Sequence, residues 1–179
     1  MRISRLMVVA GALTVVPGSA LAQHDEHGEH ESPYAGMEAS EIPALTAQEL
    51  EDLRSGAGMG FAKAAELNSY PGPRHVLELA EALELTGEQR REIETIHAEM
   101  KARAVELGEA IIEAEKELDR RFKHQHIDNE SLSEATGKIG GLYGTLRATH
   151  LRAHLATTDA LTEWQVAEYD RLRGYAPDR

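Results

Sequence analysis

The chain repeats one five-residue pattern three times, as Leu45-Thr46-Ala47-Gln48-Glu49, Leu85-Thr86-Gly87-Glu88-Gln89 and Leu161-Thr162-Glu163-Trp164-Gln165. Each copy has the residues of a capping box. The threonine hydroxyl can accept the N–H of the third helical residue, and the glutamine or glutamate can reach back to the N–H of the threonine. The preceding leucine can add a hydrophobic staple to the next turn. The pattern therefore predicts helix starts at Thr46, Thr86 and Thr162.

Two long helices are predicted between the second and third copies. In the first, residues 86–122, a seam steps alternately by four and three residues through Ile93, His97, Met100, Ala104, Leu107, Ile111, Ala114 and Leu118. The second begins at a further capping box, Ser131-Leu132-Ser133-Glu134. Its seam continues through Leu132, Thr136, Ile139, Tyr143, Leu146, His150, Ala153 and Thr157. Four glycines in this helix predict bending or close backbone approach: Gly137, Gly140, Gly141 and Gly144.

Aromatic residues are scarce, with one Trp, two Phe and five Tyr, and no stretch alternates β-branched with polar residues. The fold class expected from these patterns is all-α, a long antiparallel helical hairpin with short flanking helices. Those flanking helices are predicted over residues 46–55, 74–84 and 162–173, and one further short helix is predicted to end near residue 68.

The first 22 residues have the pattern of a cleavable signal peptide. Arg2 and Arg5 precede an apolar run, Pro17-Gly18 ends it, and Ala20-Leu21-Ala22 supplies the small residues of a cleavage site. An uncleaved membrane anchor is the alternative, although the run is shorter than the roughly 20 residues of a spanning helix. We then expect a disordered tail rich in histidine and acid (23–44), short helices with a Pro/Gly linker (45–73) and the hairpin domain (74–179).

The charge of the chain is strongly acidic. It has 19 Lys and Arg against 31 Asp and Glu, a net charge of −12. Such a balance argues against nucleic acid and anionic lipid as partners and suits cations. The absence of cysteine excludes disulfides and thiolate metal sites. No phosphate loop, nucleophile elbow or HExxH motif occurs, so we expect no enzyme.

Histidines supply the candidate functional site. Pairing the two long helices as a hairpin places His97, His150 and His154 at the same end. His150 and His154 are four residues apart and could bind one metal ion. His75 could close over this end, with Glu78 or Glu94 as an oxygen ligand. The alternative, that these are ordinary polar core histidines, stays open.

A second candidate metal site lies in the tail. Its histidines, His24, His27 and His30, alternate with carboxylates, a composition that collects Zn²⁺, Cu²⁺, Ni²⁺ or Co²⁺. A solvated acidic tail is the alternative there. His124 and His126, in the loop between the long helices, are explained well enough by loop polarity.

The signal peptide, the histidine-rich start, the hairpin and the Leu-Thr-x-x-Gln motifs at 85–89 and 161–165 resemble the Spy/CpxP (LTXXQ-motif) family. That family comprises periplasmic chaperones and is related to periplasmic heavy-metal sensors and zinc-resistance proteins. The resemblance covers about residues 74–175. It implies a Gram-negative periplasm, a homodimer of curved hairpins, no enzymatic activity and no stable membrane insertion after signal cleavage.

The resemblance implies either binding of divalent metals or ATP-independent binding of unfolded client proteins. Sensor-like members take ligands from regions that correspond to His75, His97, His150 and His154. Chaperone members present a basic concave face, whereas this chain is acidic, so metal sensing, buffering or resistance is the first expectation. The alternatives are a client-binding chaperone and a regulatory partner of a membrane sensor protein.

Overall fold

A computed structural model of the 179-residue chain describes residues 32–175. The chain divides into two compact units, Met1–Gly36 and Met37–Arg179. Of the first unit the described part is a turn, in which the N–H of Ala35 donates to the carbonyl of Ser32 at 2.9 Å. The predicted signal peptide and the tail histidines lie outside the described residues.

The second unit is all-helical in its described part, as the sequence predicts. A single 3₁₀ turn, Met37–Ala39, precedes six helices: α1 (Ala47–Ser55), α2 (Lys63–Glu66), α3 (Pro73–Glu78), α4 (Gly87–Lys123), α5 (Asn129–Asp159) and α6 (Glu163–Leu172). No strand occurs between residues 32 and 175. None of the helices in this range has both the length and the apolar character needed to cross a bilayer.

The three predicted capping boxes are confirmed. The backbone N–H of Glu49, Gln89 and Gln165 donates to the hydroxyl of Thr46, Thr86 and Thr162, at 3.1, 3.2 and 3.2 Å. In return each threonine N–H donates to the side-chain oxygen of that glutamate or glutamine. Helices α1, α4 and α6 therefore begin immediately after their threonines.

The start of α5 differs from the prediction. Asp128 is the capping residue, and its carboxylate accepts the N–H of Ser131 at 2.8 Å. The Ser131 hydroxyl accepts the N–H of Asp128 in return. Aspartate caps a helix as well as serine does. The cap therefore lies three residues before the predicted one, and Ser131 becomes the third residue of the helix.

Helix α3 is shorter than predicted. It ends at Glu78 rather than residue 84, and Pro73 is its first residue, where the missing N–H of proline costs no helical hydrogen bond. Residues 79–84 form successive turns that end at Glu84, whose φ is +51°. This left-handed residue lies two positions before Thr86, the cap of α4.

Two hydrophobic clusters hold the helices together. The first joins α1 and the residues before it to α4 and α5: Ile42, Leu45, Leu50, Leu53, Ala104, Leu107, Ile111, Ile112 and Leu146. The second joins α3 and the following turns to α4 and α6: Val76, Leu83, Ile93 and Tyr169. Helices α4 and α5 pack against each other. The Gln89 side chain donates to the carbonyl of Ala160 at 3.0 Å, so the beginning of α4 lies beside the end of α5.

Close backbone approach occurs at a glycine that the sequence did not single out. A Cβ at Gly108 of α4 would lie 2.7 Å from the carbonyl carbon of Leu53 in α1. By contrast, no atom lies within 4 Å of a Cβ built at any of the four α5 glycines: Gly137, Gly140, Gly141 and Gly144. The prediction of close approach was therefore wrong for α5, because these glycines face open space.

Candidate functional site

All four histidines predicted for the folded part line one cavity. It has a volume of about 540 Å³ and lies between α4, α5 and the segments that precede α2 and α3. We name it the histidine cavity after these residues: His75, His97, His150 and His154.

The loop after α1 brings its residues to this cavity. Gly56 ends α1 with a φ of +65°, and a Cβ there would lie 3.1 Å from the carbonyl oxygen of Lys101 in α4. Glycine meets both demands, a left-handed backbone and close contact with α4. The loop then carries Phe61 onto the ring of His150, with 6.1 Å between ring centroids and 26° between planes.

His150 is the most enclosed of the four, with 3% of its surface exposed. Its Nε2 atom is buried and has no hydrogen-bond partner among residues 32–175. Burial lowers the pKa of His150 below its ordinary value, and the nearby His154 lowers it further. The ring is therefore neutral at pH 7 and keeps a nitrogen lone pair.

His154 lies one helical turn after His150 and is held from the other side. Its Nδ1 lies 2.7 Å from the backbone carbonyl oxygen of Tyr70, which can only accept a hydrogen bond, so Nδ1 carries a proton. A Cβ at Gly72 would lie 3.0 Å from Nε2 of His154, so glycine at position 72 leaves room for the ring. The proline-rich segment that the sequence marks as a boundary thus forms a wall of the cavity.

The other two histidines are less enclosed. The Nδ1 of His75 lies 2.9 Å from a carboxylate oxygen of Glu78. Contacts with His75 and then Arg74 lower the pKa of Glu78. Burial, Lys101 and Arg74 lower the pKa of His97, and Glu78 opposes them. His97 is therefore another neutral imidazole at pH 7.

Glu66, at the end of α2, is a cavity residue that sequence reasoning missed. Its Oε1 accepts hydrogen bonds from the hydroxyls of Tyr169 at 2.5 Å and Tyr175 at 3.1 Å. Its Oε2 lies 3.7 Å from Nδ1 of His154. Burial, and then the Glu66 carboxylate, raise the pKa of Tyr169 far above its ordinary value. No local motif marks Glu66, because its partners are about a hundred residues away in sequence.

The described residues offer an incomplete metal site. Between residues 32 and 175, no group of three or more His, Asp or Glu side chains is arranged to hold a metal ion. Neither predicted oxygen ligand, Glu78 or Glu94, lines the cavity. The cavity does supply imidazole nitrogens one turn apart, at His150 and His154. His124 and His126 lie in the α4–α5 loop, exposed, with ring centroids 6.3 Å apart.

Comparison with known proteins gives no match for this chain, whether to family models, to curated proteins or to solved structures.

Proposed function

We propose that this chain is a non-enzymatic stress protein of the bacterial periplasm that binds divalent transition metal ions. The observation that carries the proposal is the buried Nε2 of His150, which has no partner in the described residues and belongs to a cavity lined by three more histidines. A buried polar nitrogen without a partner costs folding free energy. A metal ion would satisfy it.

The chemistry of the lining suits Zn²⁺, Cu²⁺, Ni²⁺ or Co²⁺. Neutral imidazole is a good ligand for these ions, and the lowered pKa of His150 keeps its ring neutral at pH 7. His150 and His154 project from one helix face four residues apart. The bond from Nδ1 of His154 to the Tyr70 carbonyl is of the kind that orients metal-binding histidines.

The proposal extends to the arrangement of the molecule. We propose that α4 and α5 form the antiparallel hairpin of the Spy/CpxP type and that two chains associate as a dimer. The hydrogen bond between Gln89 and the carbonyl of Ala160 supports the hairpin. The confirmed Leu-Thr-x-x-Gln boxes at Thr86 and Thr162 support the relationship. Sedimentation of the purified protein tests the dimer.

Calorimetric titration of Zn²⁺, Cu²⁺, Ni²⁺ and Co²⁺ into metal-stripped protein tests the function. We expect at least one ion to bind with a Kd below about 1 μM. His150→Ala/His154→Ala should weaken that binding by roughly 100-fold or more. The matched control, His124→Ala/His126→Ala, removes two exposed loop histidines and should leave it unchanged. A variant with His24, His27 and His30 replaced by alanine separates the tail site.

A variant that retains all four cavity histidines gives a stricter test. Gly72→Ala adds a methyl group 3.0 Å from Nε2 of His154, at a φ of −83° that alanine accepts. It should weaken metal binding and preserve the helical circular dichroism. Equal affinity in the wild type, the double variant and Gly72→Ala would exclude the cavity as the metal site.

Client binding is the second candidate function. Several large apolar side chains are exposed, among them Leu155 (50%), Trp164 (53%) and Phe122 (53%). Exposed apolar groups of this size can bind non-native segments. A chaperone would suppress aggregation of an unfolded client in metal-free buffer and would retain this activity in His150→Ala/His154→Ala. Loss of client binding in Leu155→Ser/Trp164→Ser would support this alternative.

A further inference from the structure

The charge of the histidine cavity is opposite to that of the chain. Its lining includes four cationic residues and one carboxylate, namely Lys63, Arg74, Lys101, Arg173 and Glu66. The whole chain has 19 cationic and 31 acidic residues. The charged side chains of the cavity lining are thus mostly cationic, although the chain as a whole is strongly acidic.

Two of these four cationic side chains have no ion-pair partner among residues 32–175. Arg74 pairs with Glu78 at 2.9 Å, and Arg173 lies 3.5 Å from Glu66. Lys63 and Lys101 form no ion pair with any residue of the described range. Both lysines are exposed, whereas His150 and His154 are buried. The positive charge therefore lies at the mouth of the cavity, and His150 and His154 lie deeper.

This arrangement favours a negatively charged metal complex over a bare divalent cation. Like charges at the mouth repel a dication as it enters. Two imidazoles also leave a four-coordinate ion such as Zn²⁺ short of two donors, and the described residues provide no group of three ligands. The volume of about 540 Å³ is far larger than a metal ion and falls in the range of small-molecule sites.

We infer that the cavity takes its metal ion as an anionic chelate, bound to a small polycarboxylate. His150 and His154 donate two ligands, and oxygens of the polycarboxylate occupy the remaining positions. Its outer carboxylates pair with Lys63 and Lys101. This inference rests on the proposed metal-binding function and names the form in which the metal is bound. A net negative complex is attracted by the mouth, and the ion reaches the imidazoles without losing its oxygen ligands.

Equilibrium dialysis with radiolabelled citrate and Zn²⁺ tests the inference. The protein carries alanine at His24, His27 and His30, so that only the cavity is measured. We expect citrate to be retained only when Zn²⁺ is present, with one citrate and one Zn²⁺ per chain. Lys63→Gln/Lys101→Gln should weaken citrate retention by roughly tenfold or more. It should leave the affinity for Zn²⁺ without citrate unchanged or higher.

The control variant is Lys123→Gln/Lys138→Gln, which makes the same charge change at exposed lysines outside the cavity lining. It should retain citrate as the wild type does. If the protein with its natural lysines retains Zn²⁺ but no citrate when both are present, the chelate is overturned and the metal-binding function stands. Retention of citrate without Zn²⁺ would also overturn the chelate. If neither Zn²⁺ nor the complex is retained, both proposals fail. These readouts on the wild type do not depend on the folding of any lysine variant.

Discussion

At the scale of the residue, the surroundings of a helical glycine decide its role. Two glycines inside long helices show this, because one packs against another backbone and the other does not. Gly108 lies in the middle of α4 against the backbone of α1, and Gly141 lies in the middle of α5 facing open space. Alanine favours the helix at both positions by about 0.5–1 kcal/mol. Only Gly108 has a neighbour that a methyl group would displace.

Gly108→Ala should therefore lower the free energy of unfolding by about 1–3 kcal/mol, because α1 must move away from α4. Gly141→Ala should raise it by about 0.5–1 kcal/mol. Urea unfolding followed by circular dichroism measures both. Equal effects of the two substitutions would contradict the close contact between α1 and α4.

His150 makes stability depend on pH. Its pKa in the folded protein is lowered by burial and by the nearby His154. Above pH of about 6.5, the pKa of histidine in the unfolded chain, the ring is neutral in both the folded and the unfolded state. Protonation of His150 then costs the folded protein no stability. Below that pH the unfolded chain binds a proton that the folded chain resists binding, and stability is lost as the pH falls.

We expect the urea midpoint of metal-free protein to fall between pH 7.5 and pH 5.5. His150→Leu should reduce this difference without removing it, since His97 also has a lowered pKa. The exposed loop variant His126→Gln should show the wild-type difference. A wild-type pH dependence in His150→Leu would show that His150 is not the residue responsible.

At the scale of the element, the capping boxes of α4 and α6 do more than begin helices, because their glutamines contact each other. The Gln89 amide donates to Oε1 of Gln165 at 2.8 Å, and the Gln165 amide donates to Oε1 of Gln89 at 3.1 Å. The same Gln165 amide donates to the carbonyl of Leu83 at 3.1 Å. Each glutamine thus both accepts from its own cap and donates outward, which a glutamate cannot do. Glu49, in the box of α1, bonds to Thr46 and to no glutamine among residues 32–175.

Gln165→Glu should lower the free energy of unfolding by about 3 kcal/mol, because it buries a charge and removes both donor bonds. The matched substitution in the exposed box, Glu49→Gln, keeps the cap. It should change the free energy of unfolding by less than about 0.5 kcal/mol. Thermal and urea unfolding of the pair give the comparison. A small effect of Gln165→Glu would mean that the two boxes are not joined in solution.

At the scale of the whole molecule, Tyr169 links the last helix to both the second hydrophobic cluster and the cavity. Its ring is fully buried against Val76, Leu83 and Ile93, and its hydroxyl donates to Glu66 at 2.5 Å. Glu66 in turn lies beside His154. The packing of α6 is therefore connected to the wall of the histidine cavity.

Tyr169→Phe keeps the packed ring and removes the donor to a largely buried carboxylate, so we expect a loss of about 1–3 kcal/mol in unfolding free energy. Tyr169→Ala should cost about 3–5 kcal/mol through the cavity that it leaves. Chemical unfolding tests both. An equal loss for the two variants would assign the whole effect to the hydroxyl and none to the packing.

Local patterns in the sequence were enough for the helix starts at Thr46, Thr86 and Thr162 and for the all-helical class. A cap is a hydrogen bond across three residues, and helical spacing places His150 and His154 on one face. The start of α5 was misplaced because Asp128 and Ser131 are both good caps, and local propensity does not choose between them.

Only the tertiary structure decided which residues surround the histidines. Lys63 and Glu66 of α2 line the cavity, and Phe61, just before α2, stacks on His150. No local pattern in the sequence records these contacts. The same holds for the Gln89–Gln165 pair and for Gly108. The amino-acid sequence by itself determined the helices and the imidazoles they present. Packing between residues far apart in the chain determined the cavity, its positive mouth and the free nitrogen within it.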